Sequence, residues 1–528
     1  MKRVLTIASV LCLTWLGVSA QNMYDGINYS ENNYVGTARS AALGNAMTAV
    51  GGDLGSIGIN PAGAAVAGYS TFTITPGISI TSTGASYAPE AYGNVTEHST
   101  MSQSRFHLPN MGVTINFDTG QKYGVRNVTV GFLSNMTNIY SDKMSITGTN
   151  SNTSMMGEAA YYVSKNKINC NALASDNAYN AGYKWTDVLS YKSGFIAPFG
   201  GSDVDYVGAN EVIYNDNTIG LGGPIDQSYF RRHTGSKSDL IINTAINYSD
   251  KLYVGVNLGV PSLKFAETLN MSEAAVNKAD FPLILDDVDT HWINGRQRYT
   301  LETSGTGLYA KLGAIWLPFE GLRLGAAVQT PTIYSVTERW MWDQVCNFDG
   351  FDSQQYETPV GEYTYNLVTP FSFNLGAAYT LGDFAMVSAD WERVDYKTMS
   401  FQEEDSSFGN DEFYDLNQEI YNYAGVTDHL RFGLEIRPTE SFALRAGYAR
   451  KQYKEAEFTD VTSAFSAGLG YASSGSFFWD CAVRFNKYPT TWFYPYEDYL
   501  FEDVGIKSPE VNVVKKSVDL VFTFGWRF

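Results

Sequence analysis

Apolar and polar residues alternate with a period of two along much of this chain, most clearly in its last stretch. Val518, Leu520, Phe522, Phe524, Trp526 and Phe528 share one face of a strand, and Asp519, Thr523, Gly525 and Arg527 share the other. The same period sets Leu252, Val254, Val256, Leu258 and Val260 opposite Tyr253, Gly255, Asn257 and Gly259. It also sets Leu430, Phe432, Leu434 and Ile436 opposite Arg431, Gly433, Glu435 and Arg437. A soluble sandwich would cover each apolar face with a second sheet, but little chain remains after Trp526 to do so. Lipid is the better cover. An aromatic-out, polar-in strand ending on Phe has the form of the closing strand of an outer-membrane barrel, an end read by the barrel assembly machinery.

Alternation of this kind predicts strands at 69–82, 104–118, 125–147, 236–248, 251–266, 296–317, 322–340, 362–379, 383–400, 428–437, 441–453, 461–473, 476–488 and 513–528. The expected fold is therefore all-β, a transmembrane antiparallel barrel of about 14 strands. Connection lengths alternate as well. Ser249-Asp250, Phe319-Glu320-Gly321, Thr380-Leu381-Gly382, Pro438-Thr439-Glu440 and Ser474-Gly475 are tight, and the links between those turns are mostly long. Short periplasmic turns and long outer loops are the barrel rule, and the longest loop, about 149–235, is expected to cover the mouth. It offers no clear apolar docking helix. Inward faces should carry Lys311, Arg323, Arg445, Asp480, Arg484 and Asp519, charges of both signs suited to ion-pair networks.

The start of the chain supports export. Lys2 and Arg3 precede an apolar run, Val4 to Leu16, too short to cross a bilayer, and Val18-Ser19-Ala20 follows as a small-residue cleavage signal. Residues 1–20 are read as a signal peptide. Cys12 lies inside the run, too early for lipid attachment. A formal net charge of −19 over 528 residues argues against nucleic acid, which rewards basic patches. Acidic runs such as Glu403-Glu404-Asp405 and Asp411-Glu412 read as solvated loop faces.

Little catalytic chemistry is legible. Asp428-His429 is the only adjacent acid–His pair, no nucleophile elbow is present, and no enzyme is expected. His98, His107, His233, His291 and His429 fall mostly near outer rims, where a His is usually a solvated polar residue. Cys170 and Cys346 fall in outer loops, where an oxidising compartment permits a bridge, and Cys481 should be an apolar filler beside Trp479 and Val483. No cysteine spacing for zinc or haem attachment occurs, and neither cofactor nor metal is expected.

Residues 34–69, before the first strand, are Gly- and Ala-rich with a short helix expected around Ala38 to Ala49, too apolar to hang free and too small-residued to form a domain. Residues 21–68 are expected to form a plug inside the barrel of residues 69–528. Here the chain resembles the FadL/TodX family of outer-membrane transporters for long-chain fatty acids and aromatic hydrocarbons. Ala42-Leu43-Gly44, Gly51-Gly52-Asp53 and above all Asn60-Pro61-Ala62-Gly63 match that family's N-terminal hatch. Further matches are Ser304-Gly305-Thr306-Gly307, Gly321-Leu322-Arg323-Leu324-Gly325 and Gln329-Thr330-Pro331-Thr332.

The resemblance implies a monomeric barrel set in outer-membrane lipid and lipopolysaccharide, with a hydrophobic small-molecule ligand and a hatch gated through Asn60, Pro61, Ala62 and Gly63. It also implies passive, ligand-gated movement with lateral release into the membrane at a kink in the third strand. In this chain Gly131, Phe132, Ser134 and Asn135 interrupt the alternation of that strand. A haem receptor, which would need His or Tyr ligands, and a structural or adhesin barrel are the other readings.

Overall fold

The computed structural model describes residues 22–90, 93–214, 218–404, 412–455, 459–499 and 507–528; the segment read as a signal peptide and Asp405 to Asp411 lie outside them. Fourteen antiparallel strands close into one barrel. Numbering only the barrel strands, these are β1 (Thr71–Ala88), β2 (Glu97–Asp118), β3 (Val125–Asn150), β4 (Ile225–Tyr248), β5 (Leu252–Ala275) and β6 (Val288–Phe319). β7 runs in two pieces, Leu322–Gln329 and Ile333–Phe348, as do β8 (Gly361–Val368, Ser372–Leu381) and β9 (Ala385–Asp395, Ser400–Glu403). β10 (Val426–Ile436), β11 (Phe442–Lys454), β12 (Thr459–Ala472), β13 (Phe477–Phe493) and β14 (Glu510–Arg527) complete the ring. Closure is by β1 on β14, from Thr71↔Arg527 to Ala88↔Glu510.

The alternation read from sequence sets the facing. Leu252, Val254, Val256, Leu258 and Val260 are exposed on the outside, while Gly255, Asn257 and Gly259 point inward. Phe522, Phe524 and Trp526 are likewise exposed, and Thr523 is buried. A contiguous apolar surface of this kind is stable only against lipid. Ser249 and Asp250, the β4–β5 turn, both adopt positive φ (56° and 54°), the geometry that lets two residues reverse a twisted hairpin.

The strands outrun the bilayer. β6 has 32 residues, whereas a tilted crossing needs about 9–11. Its outward apolar residues, Leu308, Leu312 and Trp316, give way above Leu308 to exposed Thr306, Ser304 and Glu302. The barrel wall thus continues outward as a polar-coated tube, longer than the alternation predicted. The expected loop 149–235 shrinks to residues 151–224, because β3 and β4 extend into it.

That shortened loop is a folded cap, with helices α4 (Met155–Lys165), α5 (Cys170–Ala174) and α6 (Trp185–Lys192) and two small hairpins. In the core of the cap itself, α4 buries Met155, Met156, Ala160 and Val163 with Phe195, Tyr206, Trp292 and Tyr499. Ser154 starts it by accepting Gly157 N–H at 2.9 Å. Cys170 and Cys346 are both buried and unbridged, and Cys346 lies in β7 rather than in a loop. Among the described residues no helix is long and apolar enough to cross a membrane.

Candidate functional site

Residues 23–68 lie against the inward faces of the strands, and local capping gives them their shape. Asn22 caps helix α1 (Met23–Ser30), Thr37 caps α2 (Ala38–Ala42), and Asp53 caps α3 (Leu54–Ile57) through Gly55 N–H at 2.8 Å. Asn60 caps the 3₁₀ turn Pro61–Val66, with Pro61 at its first position. Many of these backbone groups pair within the segment, and the wall takes several of those left over. Lys311 Nζ donates to Gly58 O (2.9 Å), Arg323 to Val50 O (2.8 Å), Arg484 to Tyr34 O (3.1 Å) and Lys237 to Tyr29 O (2.9 Å). In the other direction Thr48 N–H donates to Asp390 (2.8 Å) and Ala38 N–H to Thr523 (2.8 Å). Arg39 joins a wall network of Glu435 (3.0 Å), Arg445 and Asp480, with Arg445 2.7 Å from Glu435.

Such close approach requires wall positions without side chains. A Cβ at Gly313 would overlap Asn60 Oδ1, and one at Gly325 would overlap the Thr48 carbonyl. Gly255, Gly447 and Gly468 stand in the same relation to Pro61, Gly44 and Ala42, and Gly255 and Gly313 are cross-strand partners. Inward glycines therefore form a belt on which the segment rests. Asn60 is its most connected residue. Its Oδ1 accepts Ala62 N–H at 3.1 Å, while Nδ2 donates to Thr48 O at 2.7 Å and to Ala314 O of β6 at 3.1 Å. Pro61, Ala62 and Gly63 are buried beside it, and Pro61 O accepts from Asn243 of β4 at 3.1 Å.

Among the described residues the wall has a long unpaired seam. β2 and β3 are laddered from Asp118↔Asn127 to Asn110↔Asn135, and there the ladder stops, although β2 continues to Glu97 and β3 to Asn150. Beyond that point β2 stays paired to β1, and β3 to β4 with a bulge between Met136 and Asn138. The freed edge of β3 is taken partly by the N-terminal segment, since Asn33 N–H donates to Thr137 O (2.6 Å) and Val35 N–H to Met136 O (3.4 Å). Gly131, Phe132 and Ser134 lie within the paired stretch, and Asn135 is its last residue. The interruption of alternation thus marks the approach to the seam rather than the seam. Side chains span it higher up: Gln103 Nε2 donates to Ser141 Oγ at 3.1 Å, and Arg105 donates to Tyr140 O at 2.9 Å and also to Gly235 O.

Outward of the belt, the lumen is an aromatic chamber occupied by α1. Met23 and Tyr29 are buried among Tyr140, Phe265, Trp340, Tyr365 and Phe401, with Phe265 5.8 Å from the Tyr29 ring and 5.1 Å from that of Tyr140. Beside α1 a void of about 30 Å³, room for about one water, is lined by Asp239, Tyr309, Glu392, His429 and Lys451. On the turn side of the segment a polar vestibule of about 200 Å³ is lined by Arg39, Asp53, Arg437, Arg445, Asp480 and Arg527.

The histidines do not converge. His107 pairs with Ser79 at 2.8 Å, His233 sits between Asp142 (3.1 Å) and Glu267 (3.7 Å), His429 lines the small void, and His98 and His291 lie apart from these. Ser79, His107 and Asp519 are neighbours, but Ser79 donates to Asp519 at 2.5 Å, so the acid engages the hydroxyl and not the imidazole. That order cannot generate a nucleophile, which needs the base between hydroxyl and acid. Asp428 of the adjacent acid–His pair is bonded to Trp391 and Arg393. Among the described residues no group of three or more His, Cys, Asp or Glu side chains could hold a metal ion.

A lipid-facing barrel, an occupied lumen and a seam in one wall together define an outer-membrane-type barrel with an internal segment. No family model and no curated protein matches the chain. Solved structures do. A FadL homologue from Pseudomonas aeruginosa aligns over 94% of this chain and 100% of its own, with 11% identity and a TM-score of 0.50. The CymD monoaromatic hydrocarbon channel aligns over 95% and 98% (11% identity, TM-score 0.47), and the Ralstonia pickettii toluene transporter TbuX over 95% and 100% (13%, 0.42). At these identities the likeness is one of fold, and it is carried by the first of the three. The chain has the FadL-type barrel fold.

Proposed function

We propose that this protein passes hydrophobic small molecules, of the long-chain fatty acid class, across the outer membrane by passive diffusion. The ligand binds in the aromatic chamber in place of α1, residues 21–68 act as the hatch, and release is sideways into lipid between β2 and β3. The observation that carries this reading is the end of the β2–β3 ladder at Asn110↔Asn135, beside lipid-facing Phe106 and Leu108. A hydrocarbon chain gains nothing by entering water, and a lateral exit returns it to apolar surroundings. The N-terminal segment touches both ends of the route, through α1 in the chamber and through Asn33 and Val35 on β3. The similar fold of the FadL homologue is in keeping with a transporter rather than an enzyme.

The test closes the seam reversibly. In a background lacking native cysteines, Gln103→Cys and Ser141→Cys are joined by a short cleavable bis-maleimide, and uptake of radiolabelled oleate is followed in cells without another transporter. Cross-linking should abolish uptake and cleavage should restore it. Undiminished uptake through the cross-linked barrel would refute lateral release, and absence of uptake by the uncross-linked protein would refute the substrate class.

A further inference from the structure

Arg105 has an unusual position for a charged side chain in a barrel wall. It is the cross-strand partner of Ser79, whose hydroxyl is buried, so it points off the lipid face into the seam. There its guanidinium donates to the carbonyl oxygens of Tyr140 on β3 and Gly235 on β4. Among the described residues it forms no ion pair; its partners are the Tyr140 and Gly235 carbonyls. The nearby acids have other partners: Asp142 holds Lys515 at 2.7 Å and His233 at 3.1 Å, and Asp519 accepts from Ser79 at 2.5 Å and Asn486 at 2.7 Å. Of the wall's other inward arginines, Arg445 has Glu435 and Asp480 and Arg431 has Glu392, whereas Arg323 and Arg484 donate to carbonyls of the N-terminal segment; the carbonyls that Arg105 holds lie across the seam instead. Arg105 is thus a half-buried cation satisfied by neutral carbonyls alone, at the level of Phe106 where the apolar outer band begins.

We infer that Arg105 is a specificity-determining residue that receives the carboxylate of an amphipathic acid as its chain leaves through the seam. This rests on the proposed function and assigns to one residue the selection of its acid substrate over neutral hydrocarbons of equal length. A planar guanidinium fits a carboxylate through two parallel hydrogen bonds, and a charge-assisted pair is stronger than the carbonyl contacts it would replace. Exchange of carbonyl partners for a ligand carboxylate also removes the struts that tie β2 to β3 and β4. An acid on Arg105 thus leaves the neutral Gln103–Ser141 bond as the remaining strut across the seam. A neutral hydrocarbon offers no such exchange and gains nothing from Arg105.

The test compares uptake of radiolabelled oleate with that of 1-octadecene, an uncharged chain of equal length, by wild type and by Arg105→Gln and Arg105→Lys. Heat-modifiability on gels checks that each barrel is folded. Arg105→Gln should lower oleate uptake about tenfold, the scale of one lost charge-assisted interaction, and leave octadecene within about twofold. Arg105→Lys, which keeps the charge, should retain most oleate uptake. Equal loss for both ligands in Arg105→Gln would reduce Arg105 to a strut and overturn the inference, as would unchanged oleate uptake. Wild type that moves octadecene but not oleate also overturns it while leaving hydrophobic transport standing; wild type that moves neither overturns the proposed function with it.

Discussion

The two halves of the lumen are held by different forces. At membrane level, residues 33–68 are fixed by directed hydrogen bonds from Lys311, Arg323, Arg484 and Asn243 and by one to Asp390, on glycines that admit no other shape. Farther out, α1 and the cap are held mainly by apolar packing, Tyr29 among Phe265, Tyr365 and Phe401, and α4 against Phe195 and Trp292. Hydrogen bonds specify one arrangement and lose most of their value when a partner moves. Apolar contacts accept any partner of similar size. The lower lumen is accordingly built to close in one way, and the upper is held by contacts that do not demand a single partner.

The largest expected effect comes from filling the belt. Gly313→Val puts side-chain atoms where Asn60 Oδ1 lies and should expel the segment, since overpacking a rigid seat costs about 1–3 kcal/mol and here also breaks the Asn60 hydrogen bonds. Planar-bilayer recordings should show a large open conductance from a barrel that still migrates as folded. Wild-type conductance would mean that the segment does not depend on that close fit.

Asn60→Ala is gentler, because it removes a cap and the bonds to Thr48 O and Ala314 O but leaves the surface complementary. A loss of about 1–3 kcal/mol in seating is expected, seen as brief conductance bursts rather than a permanent opening. A silent variant would shift the weight of the seat from Asn60 to the wall lysines and arginines.

The smallest effect sharpens the other side of the comparison. In the cap, burial pushes the Glu211 carboxyl up to about 7, against the pull of Gly208 N–H. Burial, reinforced by Glu497 and Asp187, pushes Glu158 up to about 8. Both carboxyls hold protons in the folded cap that they release when it opens, so their stabilising effect is full at low pH and is lost as pH rises through those values. Hydrogen exchange in residues 154–211, corrected for intrinsic rates, should therefore quicken between about pH 5 and about pH 8, while the belt-seated residues 37–66 stay protected. Equal protection of the cap at both ends of that range would show that these carboxyls do not govern it.

Much of the barrel was legible because lipid imposes a period of two that nothing else in the chain imitates: each of the fourteen alternating segments is a strand. The outer reaches were not, since residues such as 97–103 and 288–295 leave the bilayer and lose the apolar member of each pair. The belt left a signal in the recurrence of inward glycines at 255, 313, 325 and 447, which alternation alone reads only as small lumen residues. Gly131, Ser134 and Asn135 pointed to the right strand, yet the seam begins after Asn135, because a ladder ends where its partner leaves and no single strand records that. Arg105 left no signal at all. By itself the sequence determined which faces meet lipid and which meet the lumen, because that choice is local and repeats every second residue. Only the tertiary structure decided where β2 and β3 part, what fills the outer chamber and which cation spans the seam, because each depends on residues tens to hundreds of positions apart.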